Sequence, residues 1–162
     1  MRVVLIPGVL ALLPQHASLH DPVAELRAAV NDAVSRLGEN VEIIATEQGS
    51  PVAEAVLAAV RPAATDERSV LVVANGSACR TEKAPGFLDE RAAAYDDALR
   101  RALTEDPAAL ADPDAALAAE LWADVAALPE LAALVDGARA EVLYDDAPYG
   151  VQYWVMCWQV EE

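Results

Sequence analysis

Short runs of apolar, β-branched residues recur along this chain with helix-forming segments between them, and that alternation restricts it to very few architectures. Arg2 to Ile6 (RVVLI) predicts a buried strand that ends at Pro7-Gly8. Asp21-Pro22 supplies an N-cap and a first-turn proline. Val23, Leu26, Ala29, Val30, Ala33, Val34 and Leu37 then recur at helical spacing up to a stop at Gly38. Val41 to Ala45 (VEIIA) reads as a second strand, and Ser50-Pro51 opens a second helix that Pro62 ends. Ser69 to Ala74 (SVLVVA) is apolar on both faces, as a central parallel strand is.

Beyond a polar loop over 75–86, the spacing predicts a helix over 88–103. Another opens at the Asp112-Pro113 cap, with Leu117, Leu121, Val125 and Leu128 as its stripe, and Pro129 leads a final turn to Gly137. Glu141 to Tyr144 and Val151 to Val160 read as the last two strands, joined by a turn in which Gly150 suits a positive φ. The final strand sets Val151, Tyr153, Val155 and Cys157 against Trp154, Met156 and Trp158, so both its faces are apolar and it is buried or at an interface. With 162 residues, the expectation is one α/β domain over 1–162. It is a three-layer α/β/α sandwich on a mostly parallel, mixed sheet, with room for antiparallel pairing near the C-terminus. In such sheets ligands sit beyond the carboxyl ends of the strands, which makes 7–20, 45–50 and 75–87 the candidate loops.

Charge narrows the function classes. A formal net charge of −16 repels nucleic-acid backbones and anionic membrane surfaces, and no apolar run approaches the ~20 residues a spanning helix needs. The two cysteines, Cys79 and Cys157, form no CxxC spacing, and Pro7-Gly8 interrupts the apolar start before it resembles a signal peptide. The expected setting is a reducing cytoplasm, with no nucleic acid and no membrane as partner.

The densest chemistry lies in Asn75-Gly76-Ser77-Ala78-Cys79-Arg80-Thr81-Glu82-Lys83-Ala84-Pro85-Gly86, which follows the most strand-like run. Ser77 and Cys79 are weak candidate nucleophiles, since G-x-S-x-G is not satisfied and no base is assignable. Arg80, Lys83 (the only lysine) and Arg91 could hold a small anion, although Glu82, Asp89 and Glu90 could equally be their ion-pair partners. His16 and His20 are four apart, a metal-ligand spacing on a helix. Pro14 and Asp21-Pro22 bracket them in a loop, however, where a solvated or capping role is favoured. Glu120 beside Leu121 and Trp122 would need a partner or a metal if it pointed inward, and is otherwise a helix-edge carboxylate. Tyr144, Asp145 and Tyr149 could order a cation or a phenolic ligand, or simply form an acidic turn.

VVANGSACRTEKAPGFLDERAAAYDDAL (72–99), AALAAELWADV (115–125) and AEVLYDDAPYGVQYWV (140–155) resemble the actinobacterial branch of the class III extradiol ring-cleavage dioxygenase subunit-B-like family. The resemblance implies a three-layer α/β/α fold. In catalytic members it implies Fe(II) held by two His and one Glu, with another His as acid/base during catechol ring opening. Glu120 matches the family's helical Glu. Pro7-Gly8-Val9 and Thr46-Glu47-Gln48-Gly49 stand where ligand histidines are expected, and the acid/base His of the Gly-x-Ser-His segment is replaced near Ala78 or Cys79. The expectation is therefore a degenerate, iron-free homologue whose small-molecule or anion pocket is formed by Asn75, Ser77, Arg80, Glu82, Lys83 and Arg91 with Tyr144, Asp145 and Tyr149. One alternative is an Fe(II)-dependent enzyme with displaced ligands, His16 or His20 with Glu120. Another is a homo-oligomerising interaction module using the last strand with Trp154 and Trp158.

Overall fold

The computed structural model describes residues 1–13, 21 and 23–161. Five strands form one sheet in the order β2-β3-β1-β5-β4: β1 (Arg2–Ile6), β2 (Val41–Ile44), β3 (Ser69–Val73), β4 (Glu141–Asp146) and β5 (Tyr153–Gln159). β1 and β2 both run parallel to β3, with Val4 opposite Leu71 and Ile43 opposite Leu71 in the two registers. β5 is antiparallel to β1 and to β4, so the sheet is a parallel core with an antiparallel flank. This is the mixed α/β architecture that the alternation predicts.

Helices cover both faces. On one, α1 (Ala24–Ser35) and α2 (Ser50–Ala59) bury Leu26, Val30, Val52 and Val56 against Val4, Ile6, Leu71, Val73, Val155 and Cys157. On the other, α3 (Ala92–Glu105) and α5 (Leu128–Leu134) bury Leu99, Leu103, Leu128 and Leu131 against Val3, Leu5, Val70, Val72, Trp154 and Trp158. Alternation along β1, β3 and β5 divides the two cores, because successive side chains leave opposite faces of a strand. Chain order adds a topological oddity: the chain passes β3 to reach β2 and then steps back to β3, with α1 and α2 on the same face. The two crossovers therefore have opposite hands, and one of them departs from the right-handed rule.

Four local expectations need correction. α1 ends at Ser35, short of the expected stop at Gly38, whose glycine is required by space instead: a Cβ there would lie 2.6 Å from the Glu67 carbonyl oxygen and 2.7 Å from that of Thr65. The third helix begins at Ala92, leaving Leu88 outside it and 51 % exposed. The next helix, expected as one from Asp112-Pro113 through Leu128, is two. α4 (Ala115–Glu120) stops because Asn75 and Asp124 pair through backbone bonds of 2.9 and 3.2 Å, which a continuous helix would forbid. Finally, β5 lies between β1 and β4 with Trp154 and Trp158 each 1 % exposed, so both rings belong to the interior of this chain and not to an interface. No helix among the described residues is long and apolar enough to cross a membrane.

Candidate functional site

The loop after β3 leaves the carboxyl end of the parallel strands and is held by a buried carboxylate. Asp96 sits on the inward stripe of α3 with Ala92, Leu99 and Leu103, and is fully buried. One of its oxygens accepts the Ser77 backbone N–H at 2.7 Å; the other accepts the Ser77 hydroxyl at 2.7 Å and Arg80 Nη1 at 3.4 Å. Arg80 also donates to Gln152 Oε1 at 3.2 Å, and Gln152 Nε2 donates to Asp145 Oδ1 at 2.8 Å. Asp145 in turn receives Arg100 from α3. Burial pushes the Asp96 carboxyl above its ordinary range, and the bonds from Ser77 and Arg80 only partly offset that. Gly76 is required here, since a Cβ would stand 2.7 Å from both Asp96 Oδ1 and Gln152 Cβ.

This network uses Ser77 and Arg80 of the loop internally. Ser77 is fully buried with its hydroxyl committed to Asp96. Cys79 is buried with Sγ donating to the Leu121 carbonyl at 3.4 Å, and burial, then nearby Asp89 and Asp96, pushes its thiol up, away from the reactive thiolate. Asn75 Oδ1 accepts the Gly8 N–H at 2.8 Å, tying the loop after β1 to this one, while Thr46 from the loop after β2 donates to Asp124 at 3.1 Å. Asn75, Ser77, Arg80 and Asp145 thus come together, with Asn75 half-buried at the edge. Glu82 and Lys83 are exposed and form no ion pair among the described residues. Arg91 lies on the surface between Asp89 and Glu120, 2.8 Å from each; its side-chain and backbone bonds to Asp89 hold that carboxyl down at about 2. Tyr144 is half-buried against the α1 face, apart from the loop, and burial raises its phenol.

Among the described residues no iron triad assembles. Glu120 points to water in its pair with Arg91, its side chain 59 % exposed. No group of three His, Cys, Asp or Glu among the described residues could hold a metal. His16 and His20 lie outside the described residues.

Three exposed aromatic side chains stand around this loop, one from the loop itself, one from the end of α4 and one from the segment between β4 and β5. Phe87, Trp122 and Tyr149 are 72 %, 61 % and 68 % exposed, and among the described residues they are the three non-glycine residues with positive φ, at 61°, 58° and 57°. Bulky side chains seldom adopt that conformation. Trp122 takes it as the left-handed residue that ends α4: its N–H bonds the Ala119 carbonyl at 3.3 Å and the Ala123 N–H bonds that of Ala118 at 2.8 Å, a Schellman pair in which glycine is usual. Two glycines place the rings around one turn. A Cβ on Gly86 would lie 3.3 Å from Trp122 Cγ, and one on Gly150, next to Tyr149, would lie 2.5 Å from Thr81 Oγ1 and 2.6 Å from Ala84 Cβ. Sequence reading singled out Tyr149 and missed Phe87, Trp122, Asp96 and Gln152. Asp96 was detectable as a carboxylate in register with the buried stripe of α3; the backbone of Phe87 and Trp122 left no signal. No family model matches the chain, and no curated protein matches it in sequence.

Proposed function

We propose that this chain is a non-catalytic binding protein, a degenerate relative of the class III extradiol subunit-B family working in a reducing cytoplasm. It holds a small aromatic ligand of phenolic or carboxylate type at the carboxyl end of its parallel strands. One observation carries the reading: three exposed aromatic side chains stand on strained backbone around a loop whose Ser77, Cys79 and Arg80 side chains are committed to fixing its shape. Strained residues persist where the surroundings over-determine them and concentrate at ligand sites. Aromatic faces suit a planar ligand through stacking, and Lys83, exposed and unpaired among the described residues, offers a charge to an acidic substituent.

The test is titration with salicylate and catechol followed by tryptophan emission. Trp122 is 61 % exposed whereas Trp154 and Trp158 are buried, so quenching at the red edge reports this end of the molecule. Saturable quenching that weakens in Lys83→Ala for salicylate, and in Tyr149→Ala for both probes, is the expected outcome. Non-saturable quenching that is equal in all three proteins would sink the reading. Oxygen consumption with catechol after anaerobic Fe(II) loading would replace it with the dioxygenase reading through displaced ligands.

A further inference from the structure

Four of the six large apolar side chains that stand exposed among the described residues meet at one place: Phe87, Leu88, Trp122 and Tyr149, between 51 % and 72 % exposed. Backbone bonds gather them. The Ala78 N–H bonds the Leu121 carbonyl at 2.9 Å, the Phe87 N–H that of Ala84 at 2.9 Å and the Arg80 N–H that of Gly150 at 3.0 Å, so three segments far apart in the chain share one face. Such a face costs stability twice, once through apolar area left in water and once through the positive φ of three of its residues. Contiguous exposed apolar patches with a polar rim mark contact with a partner, and Trp and Tyr are the residue types that most often anchor such contacts.

The rim sets the partner's charge. Glu82 and Glu90 are exposed and form no hydrogen bond or ion pair among the described residues, and Asp146 is exposed beside the Tyr149 turn. Asp89 and Glu120 outnumber the Arg91 that lies between them. Lys83 is the one cation of this rim without an acidic partner among the described residues. A second copy would bring these acids, and a net charge of −16, against their like, so self-association through this face is opposed. We propose that the face docks a basic segment of another protein, one that carries arginine beside apolar side chains. The rings bury the apolar part and receive guanidinium groups on their faces, while Glu82, Glu90 and Asp146 meet charges at the rim. A small ligand on the same rings would compete with this segment, but the proposal needs the rings and the acids alone.

The probe is a fluorescein-labelled amphipathic peptide of arginine and leucine, followed by anisotropy with the full chain at physiological ionic strength. Its counterpart with glutamate for arginine, and a peptide of arginine and glycine, are the controls. Saturable binding of the arginine–leucine peptide alone is expected. Trp122→Gly and Phe87→Gly remove a ring where the backbone favours glycine, with the thermal midpoint showing that the fold is kept, and each should weaken binding about tenfold or more. Charge reversal by Glu82→Lys together with Glu90→Lys should also weaken it. Val142→Ala, which trims an exposed apolar side chain on β4, should leave it unchanged. Equal binding of the arginine–glycine peptide would mean charge alone and overturn the proposal, as would parent affinity in the two glycine variants. Sedimentation of the free chain as a dimer that Trp122→Gly disperses would assign the face to a second copy and overturn it likewise.

Discussion

Asp96 is the residue on which the candidate site turns. Its side chain is buried in register with Ala92, Leu99 and Leu103, and it is the acceptor for both the N–H and the hydroxyl of Ser77. Replacing it with alanine strands a buried donor, so Asp96→Ala should cost about 2–3 kcal/mol in urea unfolding. Asn keeps an acceptor for the Ser77 N–H, and Asp96→Asn should cost less. The pH dependence has a definite sign. Because burial raises the Asp96 pKa above its unfolded value of 3.8, the native state holds this proton more tightly. Its contribution is therefore full below pH 3.8 and falls as pH rises through the raised value. The stability difference between the parent and Asp96→Asn should shrink over that rise; a difference that grew would refute the assignment. Trp122 offers a second test at this scale. With φ at 58°, glycine suits its position better than alanine, so Trp122→Gly should be more stable than Trp122→Ala by about 1 kcal/mol.

Among the elements, the strands were plain in the sequence because their signal is local. RVVLI and SVLVVA are apolar after their first residues, Arg2 and Ser69, and these apolar runs lie buried between two helical layers. The turn between α4 and α5 was not plain, since Leu117, Leu121 and Val125 keep helical spacing across it. Leu121 and Val125 are buried on either side of the break. Periodicity records which residues go inward, whereas the break is imposed by the backbone pairing of Asn75 with Asp124, a contact 49 positions apart. Gly38 shows the same limit: its need arises from carbonyls of the segment before β3. Gly38→Ala should accordingly destabilise the protein by about 1–3 kcal/mol, measured as a lowered denaturation midpoint with unchanged slope. An unaffected midpoint would mean that this segment yields freely.

For the whole molecule, charge dominates. At −16 the folded chain repels itself, and its ion pairs, among them Arg36 with Asp32 and Glu141, relieve only part of that. Raising salt from 0.01 M to 0.15 M shortens the Debye length from about 30 Å to about 8 Å. The thermal midpoint should therefore rise with salt; a fall would show that the surface pairs outweigh the general repulsion. The sequence by itself determined the α/β alternation, the division of β5 between two cores and the acidity of the whole chain. These follow from residue type and spacing along a few neighbouring positions. Only the tertiary structure decided that Ser77, Cys79 and Arg80 are committed inward. The gathering of the aromatic rings around one turn was likewise settled there. Each depends on groups far apart in the chain meeting at the ends of the sheet, and neither composition nor period encodes such meetings.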